Sequence, residues 1–265
     1  MLRGGAPIDG ELNIIQTSIE NEAKEGQGFY KRMLLLITNP ANRKAFFIVE
    51  VMNFLQRFSG LSVLNSFSTV ILPERTGLLT ADHCTLIMGI VWLLASMCCS
   101  ALIDKLGRKP LLHISSIGIF ISMIPTAAWY YLDRETSTDV TRVSWVPFAG
   151  FLLFGFTVSI GIGPVAAMYP GEMFPTNLKA QASALSNMSA SIAATLSTMM
   201  FVTINAHVGL YANFLVFAAV GIVNLVFTCF CVIETKGKSL QMIQEELKHG
   251  TPKELGLDRE IPETH

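Results

Sequence analysis

The 265-residue chain is poor in charge. Asp, Glu, Lys and Arg make up 15% of it, against 51% hydrophobic residues, where a soluble domain carries about 25% charged residues. That scarcity excludes a disordered chain and an ordinary soluble enzyme. With 19 basic and 20 acidic residues the net charge is −1, so the basic footprint of a nucleic-acid binder is missing. The five cysteines (Cys84, Cys98, Cys99, Cys229 and Cys231) match no metal or redox spacing and read as small packing residues. There is no His-Glu-x-x-His motif, no pair of intramembrane acids and no serine motif with a base, which speaks against an enzyme. An ATP-binding motif is missing too, so primary pumping is unsupported. No metal and no cofactor is expected.

What the chain does have is long apolar stretches. A helix needs about 20 apolar residues to cross a bilayer, whose hydrocarbon core is about 30 Å thick. Such stretches occur over 45–72, 84–103, 111–132 and 143–170. The 54 residues from Ala180 to Ile233 hold no Asp, Glu, Lys or Arg, and the turn signal Asn205-Ala206-His207-Val208-Gly209 divides them into spans over 180–204 and 209–233. The expected fold is all-α: a polytopic membrane protein with a six-helix bundle over 44–233. A cytosolic helical segment over 1–43 would precede the bundle and a cytosolic tail over 234–265 would follow it. The bilayer requires each span to be helical, because its backbone polar groups must be satisfied internally. With both termini in the cytosol, 15 of the 19 Lys and Arg residues fall on inside segments and only Arg75, Arg134 and Arg142 on outside ones, as the positive-inside rule favours.

Three polar signals stand out on the expected cytosolic side. The first is the tight loop Asp104-Lys105-Leu106-Gly107-Arg108-Lys109. The second runs from Tyr169 to Lys179 and contains Glu172-Met173-Phe174-Pro175-Thr176. The third is Glu234-Thr235-Lys236-Gly237-Lys238-Ser239-Leu240. Any one of them alone is equally well a solvated loop. In this order and at these spacings they resemble the sugar porter family of the major facilitator superfamily, and specifically the C-terminal half of its insect-type trehalose and hexose transporters. The resemblance covers roughly Arg3 to Leu247.

The resemblance implies a cytosolic gate in which Asp104, Arg108, Lys109, Glu172 and Glu234 form ion pairs that break and re-form as the transporter alternates. Glu172 would pair with Arg108 or Lys109. Exposed pairs of this kind are each worth only about 0–1 kcal/mol, enough for a weak latch. The resemblance also implies a sugar site, and here the chain departs from the family pattern. Where the family's first C-terminal span reads Gln-Gln-x-Ser-Gly-Ile-Asn, this chain has Gln56-Arg57-Phe58-Ser59-Gly60-Leu61-Ser62. Ala166 and Ala167 replace the family's Pro-Trp after Gly161-Ile162-Gly163-Pro164, and Trp92 stands where another asparagine is usual. Asn187 is retained. The candidate substrate-binding residues are therefore Gln56, Arg57, Ser62 and Asn187. Sugars are held by amide hydrogen bonds and aromatic faces, so these replacements should weaken the site.

Several residues carry two readings. Gly161, Gly163 and Pro164 either allow close helix packing or mark a discontinuous helix that bends during alternating access; the bend is the favoured reading. Arg57 at membrane depth faces a cavity or snorkels, while Glu50, two helical turns earlier, is expected near the cytosolic boundary. Trp92 is either a cavity plug or lipid-facing. The expected function is facilitated transport of a sugar, trehalose or a hexose, across the plasma membrane by alternating access. The expected partners are the sugar and the lipid bilayer, together with an N-terminal six-helix half or a second copy. The alternative is a truncated or degenerate relative with a regulatory role or no transport role.

Overall fold

A computed structural model of the chain describes residues 28, 33–73, 75–76, 79–136, 140 and 143–249. Most of the segment over 1–43 and the tail beyond 249 lie outside these residues. Helix α1 (Pro40–Gln56) begins where the Asn39 side chain accepts the Ala41 N–H at 3.1 Å. Pro40 suits the first helical position because its missing N–H would have had no intrahelical partner. A π-turn over Arg57–Leu61, with Gly60 at φ +102°, carries α1 into α2 (Ser62–Ile71). A two-residue antiparallel pair, β1 (Arg75–Thr76) and β2 (Leu79–Thr80), sets Arg75 opposite Thr80 and leads into α3 (Ala81–Leu106). The single residue Gly107, at φ +91°, turns the chain into α4 (Arg108–Glu135). Next come α5 (Trp145–Ile160) and α6 (Ile162–Met173), separated only by Gly161. Val208 and Gly209 join α7 (Thr176–His207) to α8 (Leu210–Phe230), and α9 (Leu240–His249) ends the described chain.

Taken as continuous rods, these elements give six membrane-capable helices among the described residues: Pro40–Ile71, Ala81–Leu106, Arg108–Glu135, Trp145–Met173, Thr176–His207 and Leu210–Phe230. The second, third and fifth run past the apolar stretches that announced them at both ends, the first only at its start and the fourth only at its end. Hydropathy stops at the first charge, whereas a helix continues until its backbone turns away. The sixth stops short, at Phe230, and residues 232–235 are irregular.

The bulkiest side chains of the core are aromatic. Phe214 lies 5.1 Å from Tyr130 and 5.5 Å from Phe151, ring centre to ring centre, and ties α4, α5 and α8 together. Inside that packing the Asn224 amide donates to the Ser116 hydroxyl at 2.6 Å, a polar contact of the kind that joins helices within a bilayer. Trp92 of α3 is half-buried with its indole against Gly155 of α5, where a Cβ would sit 1.6 Å from Nε1. Trp92 thus fills a helix–helix notch. The cysteines divide: Cys84 and Cys99 are buried, while Cys98, Cys229 and Cys231 are exposed and do not serve as the packing residues expected of them.

At the break in the fourth span the chain runs against α4. A Cβ on Gly161 would come within 2.4 Å of the Leu111 carbonyl oxygen and of Ser115 Cβ. Gly161→Ala should therefore force α4 and α5 apart and cost about 1–3 kcal/mol, lowering the unfolding temperature in detergent. Gly89→Ala, with nothing within 4 Å of the new methyl, should leave that temperature unchanged or raise it slightly. Equal effects of the two substitutions would contradict this packing.

Candidate functional site

Pro164 has no N–H, so the carbonyl four residues earlier, Ile160, loses its helical donor. The structure supplies another: the Cys99 thiol of α3 donates to Ile160 O at 3.0 Å. Three residues further on, the Gln56 side-chain amide, at the end of α1, donates to Gly163 O at 3.4 Å. The π-turn that follows Gln56 is an interruption of the same kind. Ser59 Oγ donates to Gln56 O at 2.7 Å, and Ser197 Oγ of α7 donates to Arg57 O at 3.0 Å. Two interrupted helices therefore meet, joined through Gln56, and at both interruptions side chains hydrogen-bond backbone carbonyls.

Around this meeting point the four candidate binding residues are placed differently. Gln56 is buried. Arg57 is half-buried, and its enclosed Nε has no hydrogen-bond partner among the described residues. The Ser62 hydroxyl is enclosed and equally unpartnered among them. Asn187 is exposed on α7, at the head of a polar row with Ser191 and Thr195, spaced four residues apart on one helix face. Ser191 and Thr195 each donate to the carbonyl one turn back. That row is legible in the sequence from its i, i+4, i+8 spacing alone.

Glu50 does not extend freely toward solvent. Its carboxylate accepts hydrogen bonds from Ser186 Oγ at 3.0 Å and from Ser189 Oγ, both on α7. The expectation that it snorkels fails because it considered only the residue's own helix, while its partners come from a neighbouring one. Arg57 and Glu50 make no ion pair.

A second polar cluster lies at the end of the bundle where α3 meets α4. The Glu234 carboxylate accepts the backbone N–H of Arg108 at 3.0 Å and that of Lys109 at 2.9 Å. It thereby caps the N-terminus of α4, where unsatisfied N–H groups and the helix dipole favour an anion. It also accepts the Lys236 N–H at 2.9 Å. Arg108 donates from Nη2 to Glu172 Oε1 at 2.7 Å and from Nε to the same oxygen at 3.1 Å, and Thr235 Oγ1 donates to Glu172 Oε2. Lys109 Nζ instead reaches the Cys229 carbonyl at 3.0 Å. Asp104 stands 3.9 Å from Arg108 with its side chain 78% exposed. The Arg108–Glu172 pair is not the exposed pair expected from its loop position: the two side chains are only 12% and 22% exposed, so losing one partner costs more than at the surface, because the other is left buried and unpaired. Burial pushes the Glu234 pKa up, but the N–H groups of Lys236, Arg108 and Lys109 outweigh it and hold the carboxyl below its usual range.

Residues 1–247 match the family model "Sugar (and other) transporter". The chain belongs to the sugar transporter family. Among its relatives are facilitated trehalose transporters Tret1. That of Culex quinquefasciatus is 30% identical over 93% of this chain and 47% of the relative. That of Apis mellifera ligustica is 29% identical over 92% and 48%. The chain thus spans about half the length, or less, of the curated relatives it matches. In fold it is similar to a D-xylose-proton symporter (TM-score 0.63, 22% identity, 89% of this chain and 52% of that one). It is also similar to the inward-open xylose transporter XylE from E. coli (TM-score 0.64, 21% identity, 76% and 42%). Among the described residues the sugar transporter architecture is present as one six-helix half, a multi-pass membrane bundle.

Two predictions follow from the ion cluster. Glu172→Gln strands the mostly buried Arg108 and should cost about 2–3 kcal/mol, below the ~3–5 of a fully buried pair; an unchanged unfolding temperature would contradict the geometry. Glu234 has a folded pKa below its unfolded one, so its stabilisation is complete above the ordinary carboxylate range and is lost as pH falls through the lowered value. Thermal scans should show a loss of stability in the native chain as pH falls below the ordinary carboxylate range, and Glu234→Gln should lack that component.

Proposed function

We propose that the chain is the C-terminal half of a sugar transporter which, joined to an N-terminal six-helix half or to a second copy, moves trehalose or a hexose by alternating access. The observation that carries this reading is the meeting of two interrupted helices at the Gln56–Gly163 contact, because a helix with released backbone groups is tolerated in a bilayer where it lines a cavity. The sugar would lie against Gln56, Arg57, Ser62 and Asn187, along the hydroxyl row of α7. The fourth span would bend at Gly161, Gly163 and Pro164. Asp104, Arg108, Lys109, Glu172 and Glu234 would form the gate at the cytosolic end. Of these, Asp104 is the one free to leave its present contact at little cost, and the buried Arg108–Glu172 pair would tie the loops of this half to one another. The protein would sit in the plasma membrane with both termini in the cytosol, in line with the distribution of its Lys and Arg.

One feature favours a second reading, a transport-silent relative. Gln56 already donates to a backbone carbonyl, Arg57 stands where the family carries a second amide, and Ala166 and Ala167 offer no aromatic face. Uptake into vesicles separates the two readings. Vesicles holding this chain with a relative's N-terminal half should take up labelled trehalose or glucose, and vesicles holding the chain alone should not. No uptake in either case would contradict transport and support the silent relative. Arg57→Gln restores an amide and should tighten sugar binding roughly 2–10-fold, the worth of one hydrogen bond; unchanged binding would place Arg57 off the site.

A further inference from the structure

A cleft of about 900 Å³ opens between the start of α1, the start of α4 and the segment that follows α8. Arg43 and Lys44 of α1, Lys109 of α4 and Lys238 of the tail stand on its rim, and Phe47 and Phe230 form part of its wall. Two acids also line it, and both are engaged. Glu234 accepts three backbone N–H groups, and Glu246 pairs with Lys238. Arg43, Lys44 and Lys109 have no carboxylate within 4.0 Å among the described residues. Lys109 uses one ammonium proton on the Cys229 carbonyl and keeps two to offer. The cleft therefore holds an excess of unneutralised positive charge.

Its depth is defined by the sequence of α1. Arg43 and Lys44 lie in the first turn after Pro40, and Phe47 one turn further in. Phe47 is 59% and Phe230 85% exposed, and in a spanning bundle such surface meets acyl chains. Cations at the water boundary with bare aromatic faces one turn deeper fit an amphiphile, with phosphate above and hydrocarbon below. A soluble anion would use the cations and leave the aromatic faces uncovered.

We propose that this cleft binds an anionic phospholipid of the cytosolic leaflet, its phosphorylated headgroup held by Arg43, Lys44 and Lys109 and its chains lying over Phe47 and Phe230. The choice of leaflet rests on the orientation given above. A lipid seated there touches the same helix start that Glu234 caps, so its occupancy bears directly on the ion cluster.

The test is binding to the full purified, delipidated chain, using dioctanoyl phosphatidylinositol 4,5-bisphosphate, dioctanoyl phosphatidylcholine and free inositol trisphosphate as probes. The anionic lipid should bind, the phosphatidylcholine should not, and the free headgroup should bind at least about tenfold more weakly for want of chains. Arg43→Gln with Lys44→Gln should weaken lipid binding roughly 5–30-fold, and the charge-preserving pair Arg43→Lys with Lys44→Arg should restore it. Arg134→Gln, at the far end of α4, should change nothing. A photoactivatable form of the lipid should crosslink to the native chain within 43–48 or 229–238, a readout that needs no variant. Phosphatidylcholine binding as tightly, the double Gln variant binding like the native chain, or crosslinks confined to other segments would overturn the proposal. A free headgroup as tight as the lipid would overturn it in favour of a soluble-anion site. Sugar plays no part in these measurements, so their failure leaves the transport reading standing, and failed uptake leaves the lipid site standing.

Discussion

The Ile160 carbonyl, deprived of its helical donor by Pro164, is the point on which the interior of this bundle turns. Hydrocarbon offers no water, and an unsatisfied backbone group there costs several kcal/mol. The Cys99 thiol is a weak donor, but it stands 3.0 Å away and on a different helix. Satisfying the break therefore requires α3 to lie against α5 in one register. The same register sets the Trp92 indole into the gap left by Gly155. The second interruption, at the π-turn, obeys the same constraint and brings in α1 and α7 through Gln56, Ser59 and Ser197. Four spans are thus held in place by the need to repair two breaks.

At the break in the fourth span the contacts are weak or long, a thiol and a 3.4 Å amide contact, whereas the π-turn is held by the ordinary hydroxyl bonds of Ser59 and Ser197. The ends of the helices are held differently. There a carboxylate from beyond the last span caps the start of the third, and a mostly buried guanidinium binds Glu172 in the last turn of the fourth. The bundle is firmly tied at one end and most lightly tied at the break in the fourth span.

Much of the fold was legible from residues alone. Apolar run length located all six spans, and Gly161 and Pro164 marked the place where the fourth is interrupted. The motif order marked the family. What was not legible depends on which helix faces which. Cys99 looked like a small apolar filler because nothing in its neighbourhood reveals that Ile160 lies opposite. Glu50 was assigned to the boundary because its own helix offers no partner within reach, and Ser186 and Ser189 lie 136 and 139 residues away. The exposure of the Arg108–Glu172 pair was misjudged because a charged loop reads as solvated, whereas the tail after α8 folds over it through Thr235. The hydroxyl row below Asn187 is the exception: its period was in plain view.

The central claim is that the two interruptions form one lightly held polar layer inside an otherwise closed bundle. Hydrogen–deuterium exchange of the chain in lipid nanodiscs, read peptide by peptide, tests it most directly. The account predicts rapid exchange at 57–62 and 160–165, flanked within the same helices by slow exchange at 45–53 and 150–157. Uniform slow exchange along the first and fourth spans would contradict it.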